Sequence, residues 1–354
     1  MTEPNRQSEE NEERIIEIEI ERLRPFKEHP FQVKDDKEMF LLQESIEKYG
    51  ILNPLIVRPV PDGYYDAVLQ FVKEEINDKE QLHRVKSTEN ARIILALTAL
   101  GMDVTNVDGH NLLRGLTDMD YVTKQGINGP VLALIAFDSA DYEIPAAPEG
   151  TDQVTREKLI EYILSRQLED GGWALVGSTA DSDITGMTIQ SLARYCDDKH
   201  PKVKAAVEAA VVCLSRIQKA DGGFNGGTGN AESCAQVIVA LTALGIDPDR
   251  DARFIKNGYS ALDGLLAFAV DGGGFKHIAN SNINGMATEQ GYLALVAYHR
   301  FVNGKTSLYD MSDADGGTES PQTGYNSNVV LWFTVSLLSL AVMTVLGRKK
   351  RMVK

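Results

Sequence analysis

Chemistry in this chain would have to come from a few short strings of acids, sulfur and imidazole. Asp118-Met-Asp120 sets two carboxylates close together. A carboxyl group donates a proton at neutral pH only where its neighbours hold it protonated, and a polar loop solvates both instead. Glu232-Ser-Cys234 places a carboxylate beside a thiol, with His277 and His299 further on. Catalytic zinc takes three protein ligands and an open position. Glu232 and Cys234 supply two, so no metal and no other cofactor is expected. The other cysteines, Cys196 and Cys213, have no metal-type spacing, and an odd count of three argues against a disulfide framework. Cys213 falls on an amphipathic helix and reads as a buried thiol.

Polar groups also cluster where apolar helices begin. Thr88-Glu-Asn90, Lys124-Gln-Gly-Ile-Asn128, Asp183-Ile-Thr185, Glu232-Ser233 and Thr288-Glu-Gln290 each open such a helix. N-capping, in which these side chains satisfy free amides and complement the helix dipole, explains most of them. Gathered at one end of a bundle they would also make a polar rim. Glu89, Glu232 and Glu289, with the nearby aromatics Trp173, Phe224 and Phe275, are the candidate contacts for a glycan, a peptide or a small ligand. No catalytic residue is assigned.

The elements that must carry these residues repeat. Gln167-Leu-Glu-Asp-Gly-Gly-Trp173, Gln218-Lys-Ala-Asp-Gly-Gly-Phe224 and Ala269-Val-Asp-Gly-Gly-Gly-Phe275 place aspartates at 170, 221 and 271, a period near fifty. In each copy a helix ends, glycines allow a tight reversal, an aromatic turns inward and a second helix starts. Ala91-Arg-Ile-Ile-Leu-Ala-Leu-Thr-Ala-Leu-Gly101 returns 144 positions later as Ala235-Gln-Val-Ile-Val-Ala-Leu-Thr-Ala-Leu-Gly245. Helices apolar on all faces are buried. Those between, such as Arg156–Ser165 and Val203–Ser215, have charged faces. Buried inner helices alternating with half-exposed outer ones predict helical hairpins arranged as an α/α toroid.

The Gln-x-x-Asp-Gly-Gly-(Trp/Phe) motif resembles the prenyltransferase and squalene-oxidase repeat of terpene cyclases and protein prenyltransferases. It covers residues 66–311 and is similar in particular to toroid modules on surface proteins of gut Firmicutes. The resemblance implies a toroid fold, and an enzyme of terpene or prenyl chemistry is one reading it allows. The chain departs from both catalytic sets of the family. Asp118-Met-Asp-Tyr121 lacks the last aspartate of an Asp-x-Asp-Asp acid. Glu232-Ser-Cys234 falls where the family carries Asp-x-Cys, and Gly285-Met-Ala-Thr-Glu-Gln290 has no histidine for the third zinc ligand.

Residues 1–14 are acidic and expected to be disordered. From 15 to 65 the pattern is β–α–β, with a strand at Ile16-Glu-Ile-Glu-Ile20, a helix over Asp36–Lys48 and a strand at Pro54-Leu-Ile-Val-Arg-Pro59. Leu23-Arg-Pro-Phe26, His29-Pro-Phe31 and the turn at Pro61-Asp-Gly63 complete a resemblance to the opening of the ParB/sulfiredoxin-like domain. That family continues into a Gly-(His/Glu)-Arg-Arg box for nucleotide phosphates, whereas Tyr64-Tyr-Asp66 passes directly into a helix. No phosphate-binding residue carries over. The segment therefore reads as a partial, inert fragment fused near Gly63. A ParB-type DNA-partition protein is the weaker alternative.

Residues 312–328 form a linker that contains the pentapeptide Ser320, Pro321, Gln322, Thr323 and Gly324. Val329–Leu346 follows without a charge, and Arg348-Lys-Lys-Arg351 ends it. A helix over 329–347 would rise about 1.5 Å per residue and just span a bilayer core, with the tail 348–354 cytoplasmic. The three parts in this order resemble a Gram-positive cell-wall sorting signal of Ser-Pro-x-Thr-Gly type, with Gln322 at the variable position. It implies that a sortase cuts between Thr323 and Gly324 and joins Thr323 to peptidoglycan. Met1–Arg14 holds no apolar leader, and replacement of an export signal by the fused ParB-like piece is the expected reason.

A formal charge of −15 and a pI near 4.9 oppose a nucleic-acid surface, and 43% hydrophobic residues are enough for a core. Together the sequence predicts a mainly α protein with a small α+β N-terminal fragment and a C-terminal transmembrane helix. Its expected place is the cell wall, its partners sortase, peptidoglycan and an extracellular ligand bound by a non-enzymatic toroid.

Overall fold

The computed structural model describes residues 64–224, 229–271 and 273–313. The N-terminal β–α–β segment lies outside them. So do all five sorting-signal residues (Ser320, Pro321, Gln322, Thr323 and Gly324), the span 329–347 and the basic tail 348–354. The described residues are mainly helical, and their only β features are isolated bridges such as Val107 with His110 and Ala269 with Phe275. No helix among them is long and apolar enough to cross a membrane.

Ten α-helices occur among the described residues: α1 (Tyr64–Glu75), α2 (Ser87–Ala99), α3 (Met119–Val122), α4 (Asn128–Asp138), α5 (Arg156–Ser165), α6 (Ser182–Leu192), α7 (Pro201–Ile217), α8 (Ala231–Ala243), α9 (Ala261–Leu266) and α10 (Gly285–Val302). The even-numbered ones form a row in which α2 packs on α4, α4 on α6, α6 on α8 and α8 on α10. The odd-numbered α5, α7 and α9 lie against α4, α6 and α8 respectively.

Burial follows the sequence pattern. In α2 every residue but Glu89 and Arg92 is buried, and α8 is buried apart from Gln236 and Ala243. By contrast α5 buries only Leu159, Ile160 and Ile163. The two copies of Ala-Leu-Thr-Ala-Leu-Gly end alike, with Gly101 at φ +69° and Gly245 at φ +72°. Glycine takes that left-handed conformation without the steric cost of a side chain. Thr98 and Thr242, matched in the two copies, return their hydroxyls to Ile94 O and Ile238 O one turn back.

Polar side chains hold neighbouring even helices together. Gln190 Nε2 donates to Gln236 O and Oε1, both at 2.9 Å, and Gln236 Nε2 donates to Gln290 Oε1 at 3.1 Å. This ladder ties α6 to α8 and α8 to α10. At the far end of α4, Arg156 pairs with Asp138 at 2.7 Å and donates to Phe137 O and Tyr142 O. A cation there satisfies carbonyls that the helix end leaves free and suits its dipole.

After α10 the chain doubles back. Arg300 is buried, donates to Thr306 O at 2.9 Å and to the Thr306 hydroxyl, and binds both Asp313 oxygens at 2.9–3.0 Å. Leu308 and Met311 are buried, and Met311 N donates to Ser139 O beyond α4. Tyr309 lies within electrostatic reach of Glu289 on α10 and Arg92 on α2, and burial followed by Glu289 raises its pKa.

Candidate functional site

The repeated turns are built first from backbone. In the three copies Leu168, Lys219 and Val270 N–H donate to Gly172, Gly223 and Gly274 O. Gly171, Gly222 and Gly273, 51 residues apart, sit at φ +92°, +81° and +95°. Register is therefore set by the positive-φ glycine. By that register Gly272 occupies the third aspartate position, and Asp271 falls one residue early.

Side chains then reinforce the first two turns. Gln167 Nε2 donates to Gly171 O and Ala206 O at 2.7 and 2.8 Å. Gln218 Nε2 repeats this on Gly222 O and Phe254 O at 3.0 and 2.9 Å. Asp170 accepts from Gly172 N and Ala180 N, and Asp221 from Gly223 N. The aromatics close the motif. Trp173, Phe224 and Phe275 are all buried, and Trp173 Nε1 donates to Ile163 O at 2.9 Å. These three side chains are core, which corrects their expected place as ligand contacts on a rim.

Each aromatic N–H is captured by the residue four past the N-cap of the next even helix. Thr185 Oγ1 accepts from Trp173 N at 2.9 Å and Thr288 Oγ1 from Phe275 N at 3.0 Å. Cys234 fills the same slot, its sulfur facing Phe224 N–H. Burial pushes the Cys234 thiol up to about 12, so at neutral pH it stays protonated. Among the described residues no three His, Cys, Asp or Glu side chains converge as a metal-holding group.

The helix starts bring other polar residues together. Asp181, Asn230 and Asn284 cap α6, α8 and α10 through their side-chain oxygens. Glu232 is 8% exposed and meets His277 Nδ1 with both oxygens at 2.9–3.0 Å. Two residues past its cap, as Glu232 is past Asn230, stands Asp183. Burial, outweighing the nearby Ser233 hydroxyl, pushes the Asp183 carboxyl up to about 6. Asp181 and Glu232 push the same way. The position is taken in the third copy by Met286, which is exposed.

The remaining sequence candidates are dispersed. Glu289 is buried and lies near Tyr309. Glu89 is half-buried on α2, near Tyr121, whose hydroxyl donates to His83 O at 2.5 Å. Asp118 caps α3 by accepting from Asp120 N, and Asp120 is exposed. The candidate sortase residues, from Ser320 through Pro321, Gln322 and Thr323 to Gly324, fall outside the described residues and rest on sequence alone. Sequence reasoning named Asp183 and Ser233 among the polar openers of the helices but left out Ser182 and did not bring the three together. Their type signals only a helix start, and the burial of their oxygens has no sequence signature.

Residues 4–70 match the family of the ParB N-terminal domain. The match is wider than the 15–65 fragment. It starts within the acidic leader and ends inside α1, where the buried Val68 and Val72 join the helical core. No curated protein matches the chain.

Proposed function

We propose that residues 66–311 are an α/α toroid of the prenyltransferase-repeat type, serving as a binding and display module on a wall-anchored surface protein. The observation that carries it is the use of the repeat motif itself. Glutamine, aspartate, aromatic and N-cap-plus-four side chains all bind backbone or core at matched positions. The motif is thus a scaffold, and the start of α6, where Asp183 is half-buried, is the polar site left for a ligand, Glu232 being buried against His277. Tyr309, within reach of both Arg92 on the first even helix and Glu289 on the last, supports closure of the row into a ring. Anchoring rests on Ser320, Pro321, Gln322, Thr323 and Gly324, with the apolar and basic segments after them.

Mass spectrometry of enzymatically released cell wall from the native host tests this reading. A peptide ending at Thr323 and linked to peptidoglycan is expected. Intact chain recovered from cytosol with residues 324–354 present would overturn it.

The match over residues 4–70 favours a second reading, a ParB-type DNA-partition role. Against it stand the −15 charge and the missing Arg-Arg pair. Binding of duplex DNA or a nucleoside triphosphate by the full chain at physiological salt would support that role.

A further inference from the structure

Residues 303–313, which follow α10, are held in place by side chains and single backbone contacts. The stretch coils on itself, with Thr306 Oγ1 donating to Asp310 O at 2.8 Å and Ser312 N to Asp310 Oδ1 at 3.1 Å. Beyond itself it is fastened at two points. At its end both Asp313 oxygens accept from Arg300, whose side chain is 2% exposed where that of Asp313 is 38%. Two residues earlier, Met311 N–H donates at 2.8 Å to the carbonyl of Ser139, the C-cap of α4. Leu308 and Met311 sink their side chains into the core.

This stretch joins helices that the row itself keeps apart. α10 packs on α8, whereas Ser139 belongs to α4, three places away along the row. Tyr309 packs on the core within electrostatic reach of Arg92 on α2 and Glu289 on α10. Arg92 is the counterpart of Gln236, since Ala91–Gly101 returns as Ala235–Gly245. Tyr309 therefore stands between the last helix of the glutamine ladder and the arginine that takes the ladder position on α2. Ties of this kind oppose opening of the row.

Tension would meet them first. The chain leaves the stretch at Asp313, and Thr323, the proposed wall attachment, lies ten residues further on. A pull from that side draws Asp313 from Arg300 and then Met311 from Ser139 before it reaches a helix. An ion pair open to water at Asp313 and one backbone hydrogen bond yield more readily than helices buried on several faces.

We infer that residues 303–313 form a latch that ties α10 to α4 and α2 and lets go as one unit under tension from its C-terminal side, while the helical body stays folded. The source of the tension rests on the anchoring reading; the latch itself is independent of it.

Amide hydrogen exchange of the full chain reads the latch without any anchor. The Met311 amide should exchange through a local opening, at least about tenfold faster than the Trp173 and Phe224 amides. Asp313→Ala should speed it about another tenfold and leave those two amides unchanged. Exchange of Met311 together with the core amides, or no response to Asp313→Ala, would overturn the latch. Optical tweezers holding the full chain by terminal tags read the response to force. The eleven residues from 303 to 313 extend by at most about 3.3–3.6 Å each. A reversible step of roughly 35–40 Å or less should precede unfolding of the helical body, at a force that Asp313→Ala lowers. Absence of such a step, or its persistence unchanged in Asp313→Ala, would overturn release under load. Wall-linked Thr323 with Met311 as protected as the core would remove the latch and leave the anchoring reading standing.

Discussion

The first two copies of the repeat and the third reach the same turn by different means. At Gln167–Trp173 and Gln218–Phe224, a glutamine and an aspartate fasten the glycine loop to its own backbone, and the glutamine also reaches the neighbouring odd-numbered helix or its loop. At Ala269–Phe275 the glutamine position is alanine and the aspartate position glycine, yet the glycine conformation, the backbone pairing and the captured aromatic N–H persist. The glycine and the aromatic define the turn, and the other side chains stabilise it. The helix starts differ in parallel, with acids at Asp183 and Glu232 but Met286 in the third copy.

The glycines should show the widest spread. A Cβ on Gly222 would stand 2.1 Å from Ser260 O, and one on Gly171 2.9 Å from Ala209 O. On Gly273 it would meet only the Tyr292 hydroxyl at 3.3 Å. Gly222→Ala should therefore cost about 3 kcal/mol or more, conformational strain and backbone overlap adding. Gly273→Ala should cost about 1 kcal/mol from strain alone. Urea unfolding measures both, and equal costs would erase the distinction between copies.

Asp183 comes next. Its folded pKa, about 6, exceeds an ordinary carboxyl value near 3.9. Between those pH values the folded state binds more protons than the unfolded one, so this residue makes stability fall as pH rises from about 4 to 6. The loss by pH 7 is on the order of 3 kcal/mol. Asp183→Asn should flatten that slope and raise stability at pH 7. Urea midpoints from pH 4 to 7 check it, and an unchanged slope would contradict the buried carboxyl.

Gln218→Ala removes a buried donor from Gly222 O and Phe254 O and should cost about 1.5 kcal/mol. Gln167→Ala, at a more exposed site, should cost less. Smallest is Cys234→Thr, expected within about 1 kcal/mol because Thr185 and Thr288 already serve that slot. Cys234→Val, which leaves the Phe224 N–H without an acceptor, should cost about 1–3 kcal/mol. Thermal unfolding separates the two.

Much of this architecture is legible in the sequence. All-round apolarity marks α2, α4 and α8 as buried, and the near fifty-residue period locates the turns. Other features are not legible. Reading the third turn by its aspartate puts it one residue out of register, because charge is easier to see than a dihedral angle. Glu232 and Cys234, close in sequence and metal-like in type, serve separate ends: Glu232 meets His277, and Cys234 faces Phe224. Arg300 carries no sign that it is buried, since its partners Thr306 and Asp313 reach it only through the reversal after α10.

Amide hydrogen exchange at Trp173, Phe224 and Phe275, read residue by residue, tests the repeat as scaffold most directly. All three N–H groups should exchange only through global unfolding, with equal protection despite the missing glutamine and aspartate of the third copy. Exchange of Phe275 at the rate of an open loop, with Trp173 and Phe224 protected, would contradict the account.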